Sequence, residues 1–144
     1  MTRRSPKNIA ASVRQRLLDK ARETARPFNE LLQYFAMERF LYRLSKSPYA
    51  DNFVLKGALM LNVWEAPLTR PTLDIDLLGR IHNRIETVVR VTREICQQEV
   101  EPDGLAFDTA TIEAERIAED ADYEGRDTCQ IPRIFRHCTN RDTT

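Results

Sequence analysis

Two aspartates in a short apolar segment are the residues of this chain whose types and spacing most clearly indicate chemistry. Asp74 and Asp76 lie in Thr72-Leu73-Asp74-Ile75-Asp76-Leu77-Leu78-Gly79, which alternates apolar and acidic residues with the period of a strand. Successive strand side chains point to opposite faces, so both carboxylates are expected on one face. Such a pair suits Mg²⁺, which takes oxygen ligands and keeps positions for water and phosphates. For Asp-x-Asp alone, a solvated strand stays an equal alternative.

A second candidate for chemistry is the segment Lys56-Gly57-Ala58. Here a short apolar run, residues 53–55, is expected to turn at the glycine into a helix over residues 58–64. A glycine at a helix start lets the backbone approach a ligand closely, and the free N–H groups there attract phosphate. Lys56 would add a positive charge. An ordinary surface lysine before a helix-opening glycine is the competing interpretation.

The N-terminal third of the sequence predicts two helices that would support these residues. Ser5 and Pro6 resemble an N-cap and first helical position, and apolar residues then recur every four positions. Pro27 separates a second helix, whose broad apolar face ends near residues 45–48. We interpret the aromatic residues of that helix as core rather than as a ligand box: Tyr34, Phe35, Phe40 and Tyr42.

Further elements are expected after the acidic strand. Asn83 and Glu86 form a capping-box-like start of a helix. Residues 102–104 mark a turn, and residues 105–117 are expected to supply one or two weak strands. The predicted buried side of the helix consists of Ile85, Val88, Val89, Ile95 and Cys96.

These segments together resemble the AbiEii-like nucleotidyltransferase toxins of the abortive-infection E system, in the polymerase-beta-type nucleotidyltransferase superfamily. The resemblance covers roughly residues 8–125. It is carried by Phe53-Val54-Leu55-Lys56-Gly57-Ala58-Leu59, Arg70-Pro71-Thr72 and Asp74-Ile75-Asp76-Leu77-Leu78-Gly79, with Glu38-Arg39-Phe40-Leu41-Tyr42-Arg43-Leu44, Ala114-Glu115-Arg116-Ile117 and Tyr123-Glu124-Gly125.

The resemblance implies an α+β fold, a truncated nucleotidyltransferase-like fold in which N-terminal helices precede a short mixed sheet with flanking helices. It implies Mg²⁺-dependent transfer of a nucleotide from a nucleoside triphosphate to an acceptor such as tRNA, and neutralisation by a cognate antitoxin. By position, Asp74 and Asp76 would be the catalytic, metal-binding pair. Lys56, Gly57 and Ala58 would form the nucleotide- and phosphate-binding turn.

The sequence departs from the family pattern at two places. Position 73 is Leu, where many members have a basic residue. The family continues beyond residue 125 to an apolar strand with a third carboxylate, and no equivalent is visible here. We therefore expect a nucleotidyltransferase-like domain over residues 1–125 and a divergent tail over residues 126–144, for which disorder and a frameshift are hypotheses. Loss of the third carboxylate would impair the enzyme or leave a catalytically inactive remnant.

The tail also contains potential zinc ligands. Cys129, His137 and Cys138 are only three donors, without a Cys-x-x-Cys pair, so a zinc site is disfavoured.

Composition and charge limit the remaining possibilities. The chain has 144 residues, which suits one small domain, and neither a long apolar run nor a secretory leader, so we expect a cytoplasmic protein. Its net charge is zero, but residues 1–26 hold eight Lys/Arg against two acids, and residues 99–125 hold ten Asp/Glu against one Arg. This asymmetry is the one feature that favours a non-enzymatic module for binding nucleic acid or protein.

Overall fold

A computed structural model describes residues 8–57, 59, 74–82, 84–114 and 128–131 of the chain. The helices and strands, in chain order, are α1 (Ile9–Thr24), α2 (Phe28–Lys46), β1 (Phe53–Lys56), β2 (Ile75–Gly79), α3 (Ile85–Cys96) and β3 (Thr128–Ile131). Two short segments of the described residues form single 3₁₀ turns, Ala50–Asn52 and Thr109–Thr111.

Helix α1 begins later than the sequence predicted. Its N-cap is Asn8, whose Oδ1 accepts the Ala11 backbone N–H at 3.0 Å. This side-chain bond satisfies one of the N–H groups that a helix start leaves unpaired, which is why the helix begins here and not at the predicted Ser5-Pro6 pair. Residues 1–7 themselves lie outside the described part. Pro27 separates the two helices as predicted and is the N-cap of α2.

The hydrophobic core lies between α2, α3 and the sheet. Met37, Phe40 and Ile95 are completely shielded from solvent, at 0% exposure. Phe40 also packs edge-on against Phe107, with ring centroids 6.2 Å apart. The predicted assignment of Phe40 to the core is thus confirmed. The remaining buried members of the core cluster are Leu44, Leu59, Ile75, Leu77, Val91, Cys96 and Ile112.

The three strands form one sheet in the order β1-β2-β3, with β2 in the centre. Both strand pairs of the described part are antiparallel, where the sequence analysis expected a mixed sheet. The α+β class is confirmed. Strand β3 lies within the segment that the sequence analysis separated as a divergent tail, and Ile131 pairs with Ile75.

Helix α3 differs from its prediction in its buried face. It begins at Ile85, within one residue of the predicted start, and its N-cap Arg84 makes no side-chain capping bond. The predicted capping-box residue Asn83 lies outside the described residues. Ile85 was predicted to be buried but is 38% exposed, because the core-facing stripe begins one turn later. That stripe includes Val91 and Thr92, which the sequence analysis did not select.

The segment after the turn at residues 102–104 was predicted to supply weak strands. In its described part, residues 105–114, it forms one 3₁₀ turn and no strand, so that prediction is wrong there. The physical reason is local hydrogen bonding around Asp108. Its Oδ1 accepts the Ala110 N–H at 3.1 Å, and its carbonyl accepts the Thr111 hydroxyl at 2.9 Å. Backbone groups paired in this way are not available to a sheet ladder.

A buried ion pair fastens this loop to α2. Arg43 donates to both carboxylate oxygens of Asp103, at 2.8 and 3.2 Å, and Arg39 Nε donates to the same carboxylate at 2.8 Å. Arg43 also donates to the Leu105 carbonyl at 3.4 Å and lies over the Phe107 ring, 5.0 Å from its centroid. Bidentate arginine–carboxylate geometry of this kind orients both groups as well as neutralising them.

Gly104, the next residue, brings the loop against α1. Its φ is +76°, and a Cβ on it would lie 2.8 Å from the Cα of Ala10. Both the left-handed backbone and the close approach require glycine at this position. Asp103 and Gly104 thus fix the loop to both N-terminal helices.

We expect Asp103→Asn to reduce the free energy of unfolding by about 3 kcal/mol, because it leaves the buried guanidinium of Arg43 without its counter-charge. Urea denaturation followed by circular dichroism measures the change. Glu113→Gln is the control, since Glu113 is an exposed acid in the same loop and its loss should cost little. Equal stability of the two variants would contradict the assignment.

The same pair predicts a pH dependence. Burial raises the pKa of Asp103, but hydrogen bonds from Arg43, Arg39 and the Leu105 N–H lower it more, and the net pKa lies below its usual range. Because the folded-state pKa is lowered, the stabilisation is present above the usual carboxyl pKa of about 3.9 and is lost as the pH falls below it. The stability gap between the parent and Asp103→Asn should therefore narrow from pH 7 to pH 3.

Candidate functional site

Strand β2 separates an apolar face from an acidic one. Ile75 and Leu77 are 1% and 2% exposed, whereas Asp76 between them is half-buried and Asp74, just before the strand, is exposed. The alternation that the sequence predicted is therefore present. The buried residues anchor the strand in the core, which leaves the carboxylates on the side that solvent reaches.

Lys56 lies directly across from Asp76. In the antiparallel register of β1 and β2, the Cα partner of Lys56 is Asp76 and that of Leu55 is Leu77. Directly opposite residues of an antiparallel pair share a face, with Cβ atoms about 5 Å apart. The exposed Lys56 side chain and the Asp76 carboxylate therefore belong to one face of the sheet, and their opposite charges suit this arrangement.

Gly57 follows β1 and lies against the Asp76 side chain. Its φ is +71°, in the left-handed region that favours glycine. A Cβ at this position would overlap Asp76 Oδ2 and would lie 3.0 Å from Asp76 Cγ. The structure thus places the glycine turn and the acidic strand in direct contact, although they are distant in the sequence.

Four of the predicted site residues lie in the described part: Lys56, Gly57, Asp74 and Asp76. The structure places Lys56 and Gly57 next to Asp76. Ala58 lies outside it, as do Leu73 and residues 60–72. On the other side of β2, Gln130 occupies the register position opposite Asp76. A row of three register positions, 56, 76 and 130, thus crosses the sheet.

The donor chemistry of this face fits a hard divalent cation. Asp74 and Asp76 offer carboxylate oxygens, and Mg²⁺ is commonly held by one or two carboxylates together with water and substrate phosphates. Across the residues that the structure describes, no group of three or more His, Cys, Asp or Glu side chains is close enough to hold a metal ion. Of the potential zinc ligands, Cys129 lies in β3 opposite Leu77, and His137 and Cys138 lie outside the described residues.

Sequence reasoning missed the contact between Gly57 and Asp76. The sequence indicates one site in which the glycine turn binds phosphates and the aspartates bind a metal, but it does not predict that Gly57 touches the Asp76 side chain. The apolar run before Gly57 and the alternation around Asp76 each indicate a strand, but the pairing register of two strands is a long-range property that neither segment specifies alone.

A comparison with protein families identifies the family of this chain. The family model described as "Nucleotidyl transferase AbiEii toxin, Type IV TA system" matches residues 39–142, which is more than half of the chain. The chain belongs to the AbiEii family. No curated protein and no solved structure matches the chain significantly.

The AbiEii match contains every candidate site residue and extends beyond the resemblance predicted from the sequence. It begins within α2 and continues through β3 to residue 142, whereas the prediction covered residues 8–125. AbiEii membership supports a nucleotidyltransferase-type function in a toxin–antitoxin system, a nucleoside triphosphate and a divalent metal in general, and an antitoxin partner. In addition, none of the helices within the described ranges is long and apolar enough to span a bilayer.

The buried side chain of Ile75 and the exposed side chain of Asp74 predict unequal effects on stability when each is replaced by alanine. Ile75→Ala should lower the free energy of unfolding by about 3 kcal/mol, because it opens a cavity in the core. Asp74→Ala, on the exposed side, should change it by less than about 1 kcal/mol. Parallel urea titrations measure both. A larger loss for Asp74→Ala than for Ile75→Ala would contradict the face assignment.

Proposed function

We propose that this AbiEii protein transfers a nucleotide from a nucleoside triphosphate to an acceptor, with Mg²⁺ held by Asp74 and Asp76. The observation that carries the proposal is the meeting of Lys56, Gly57 and Asp76 on one face of the sheet. A triphosphate with its cation requires a metal-binding carboxylate, a positive charge and free backbone N–H groups, and these three residues are of the types that would supply them.

Each residue has a distinct role in this proposal. Asp74 and Asp76 hold the cation, which when bound neutralises phosphate charge and lowers the pKa of an attacking hydroxyl. Lys56 contributes a positive charge toward the phosphates from the neighbouring strand. The sequence of Gly57-Ala58 predicts the start of a helix, whose free backbone N–H groups would bind the phosphates.

The acceptor and the completeness of the site belong to the proposal as well. A tRNA acceptor and a cognate antitoxin that neutralises the protein rest on the family, and a cytoplasmic location suits both. The two aspartates are two of the three carboxylates that the resemblance calls for. The proposed reaction is therefore expected to be slow unless a further acidic residue joins them, and a catalytically inactive protein is the alternative.

Label transfer tests the proposal. Purified protein is incubated with each radiolabelled nucleoside triphosphate, Mg²⁺ and total tRNA. We expect labelled tRNA with the parent, and at least about 1,000-fold less with the Asp74→Ala, Asp76→Ala double variant, because the cation contributes several kcal/mol to stabilising the transition state. Lys56→Ala should raise the KM for the triphosphate about tenfold, the effect of losing about 1.4 kcal/mol of binding energy.

Asp51→Ala is the matched control, since Asp51 is an exposed acid in the 3₁₀ turn before β1. It should leave label transfer unchanged. Transfer that survives the double substitution would refute the metal-site assignment. A folded parent that transfers no label would favour an inactive protein. Retarded tRNA mobility without transfer would favour a module that binds nucleic acid, and the salt dependence would show the share of phosphate contacts.

A further inference from the structure

The environment of Gly57 assigns this residue a role that the glycine turn alone does not suggest. On the side where any other residue would have its Cβ, the space is filled by the Asp76 side chain: the added atom would overlap Oδ2 and lie 3.0 Å from Cγ and 3.2 Å from Cβ. The protein group that approaches Gly57 most closely on this side is therefore the Asp76 carboxylate.

We propose that Gly57 is a positioning residue for Asp76: the absence of a side chain at position 57 sets where the Asp76 carboxylate lies. The inference rests on the proposed function in so far as Asp76 binds the cation. Cβ atoms essentially never lie within 3.0 Å of heavy atoms to which they are not bonded through the local backbone, so a Cβ at position 57 requires either residue 57 or the Asp76 side chain to move. The carboxylate is the part of Asp76 that can move most easily, because it ends a rotatable side chain whereas the Asp76 backbone is paired with a strand on each side.

The strand pairing restricts where the carboxylate can go. The Asp76 backbone is held by β1 on one side and by β3 on the other, in register with Lys56 and Gln130. The flanking residues Ile75 and Leu77 are fixed in the core, so β2 cannot rotate away from Gly57 without exposing them. Rotation of the Asp76 side chain out of its position is thus the response expected when residue 57 gains a Cβ.

Glycine 57 has a matched control elsewhere in the chain. Gly104 also has a left-handed backbone, with φ +76°, and the atoms nearest to a Cβ there belong to the backbone of Ala10 and Ile9, the closest at 2.8 Å. Alanine at either position is strained by its backbone conformation. Only alanine at position 57 meets Asp76. A comparison of Gly57→Ala with Gly104→Ala thus separates displacement of the carboxylate from general strain.

The first test measures Mn²⁺ binding alone, without triphosphate, by electron paramagnetic resonance on folded protein. Gly57→Ala should weaken Mn²⁺ binding by about 10- to 100-fold, the range found when a residue that orients a metal ligand is changed. Gly104→Ala should leave the Kd for Mn²⁺ within about twofold of the parent value, even if the variant is less stable, because the added Cβ meets Ala10 and not a proposed metal ligand. Equal Mn²⁺ affinity of Gly57→Ala and the parent would overturn the proposal.

The second test needs no metal. A double-mutant cycle compares the unfolding equilibrium constant of Gly57→Ala in the parent and in Asp76→Ala, where Oδ2 and Cγ are gone. We expect the factor by which Gly57→Ala raises the unfolding equilibrium constant to be about tenfold smaller in the Asp76→Ala background than in the parent, because residues in contact are coupled on this scale. If Gly57→Ala does not fold, recovery of folding on adding Asp76→Ala supports the proposal, and failure to recover overturns it.

The two tests distinguish this inference from the proposed function. Absence of Mn²⁺ binding by the parent would contradict the metal site and with it the effect of Gly57 on metal affinity, while the cycle would still decide whether Gly57 positions Asp76. Binding by the parent with no coupling between residues 57 and 76 would leave the metal site standing and overturn the positioning role.

Discussion

Strand β2 is the element on which both the core and the candidate site depend. Its period-two geometry commits Ile75 and Leu77 to the interior and leaves Asp76 on the opposite face. A shift of one residue in its pairing would bury the carboxylate and expose the isoleucine and leucine, at a cost in both polar burial and lost apolar burial. Burial of the apolar residues Ile75 and Leu77 therefore determines on which face of the sheet the acidic side chain of Asp76 lies.

The N-terminal helices and the loop after α3 form the support behind that strand. The Arg43–Asp103 pair connects α2 to this loop through the interior, and Gly104 brings the same loop against Ala10 of α1. Because a buried guanidinium without its carboxylate is costly, the pair disfavours arrangements in which the loop separates from α2. Phe107, held under Arg43, completes the core against Phe40.

Some charged side chains of the two segments take part in contacts of the fold. The sequence separates a basic N-terminal segment, residues 1–26, from an acidic one, residues 99–125, a pattern that favours a binding module. In the structure, Asp103 of the acidic segment pairs with Arg39 and Arg43 of α2, and Arg26 of the basic segment forms an exposed ion pair with Glu30 and lies over the Tyr34 ring. These contacts engage one charged residue of each segment, so the binding module stays the alternative that the charge asymmetry favours.

The sequence by itself determined the local features: the break at Pro27, the core face of α2 around Phe40, and the alternation that places Asp74 and Asp76 opposite Ile75. These follow from periods of 3.6 and 2 residues, which short segments carry on their own. The family could also be recognised from the sequence, although its matched range reaches residue 142.

The tertiary structure decided what depends on residues distant in the chain. The pairing of strand Thr128–Ile131 with β2 was not predicted. The start of α1 at Ile9 and the 3₁₀ turn near Asp108 were not predicted either, although each rests on a local hydrogen bond made by the side chain of Asn8 or Asp108. Nor was the contact of Gly57 with Asp76. It depends on strand register, which is set by the packing of the whole apolar face and not by either segment alone.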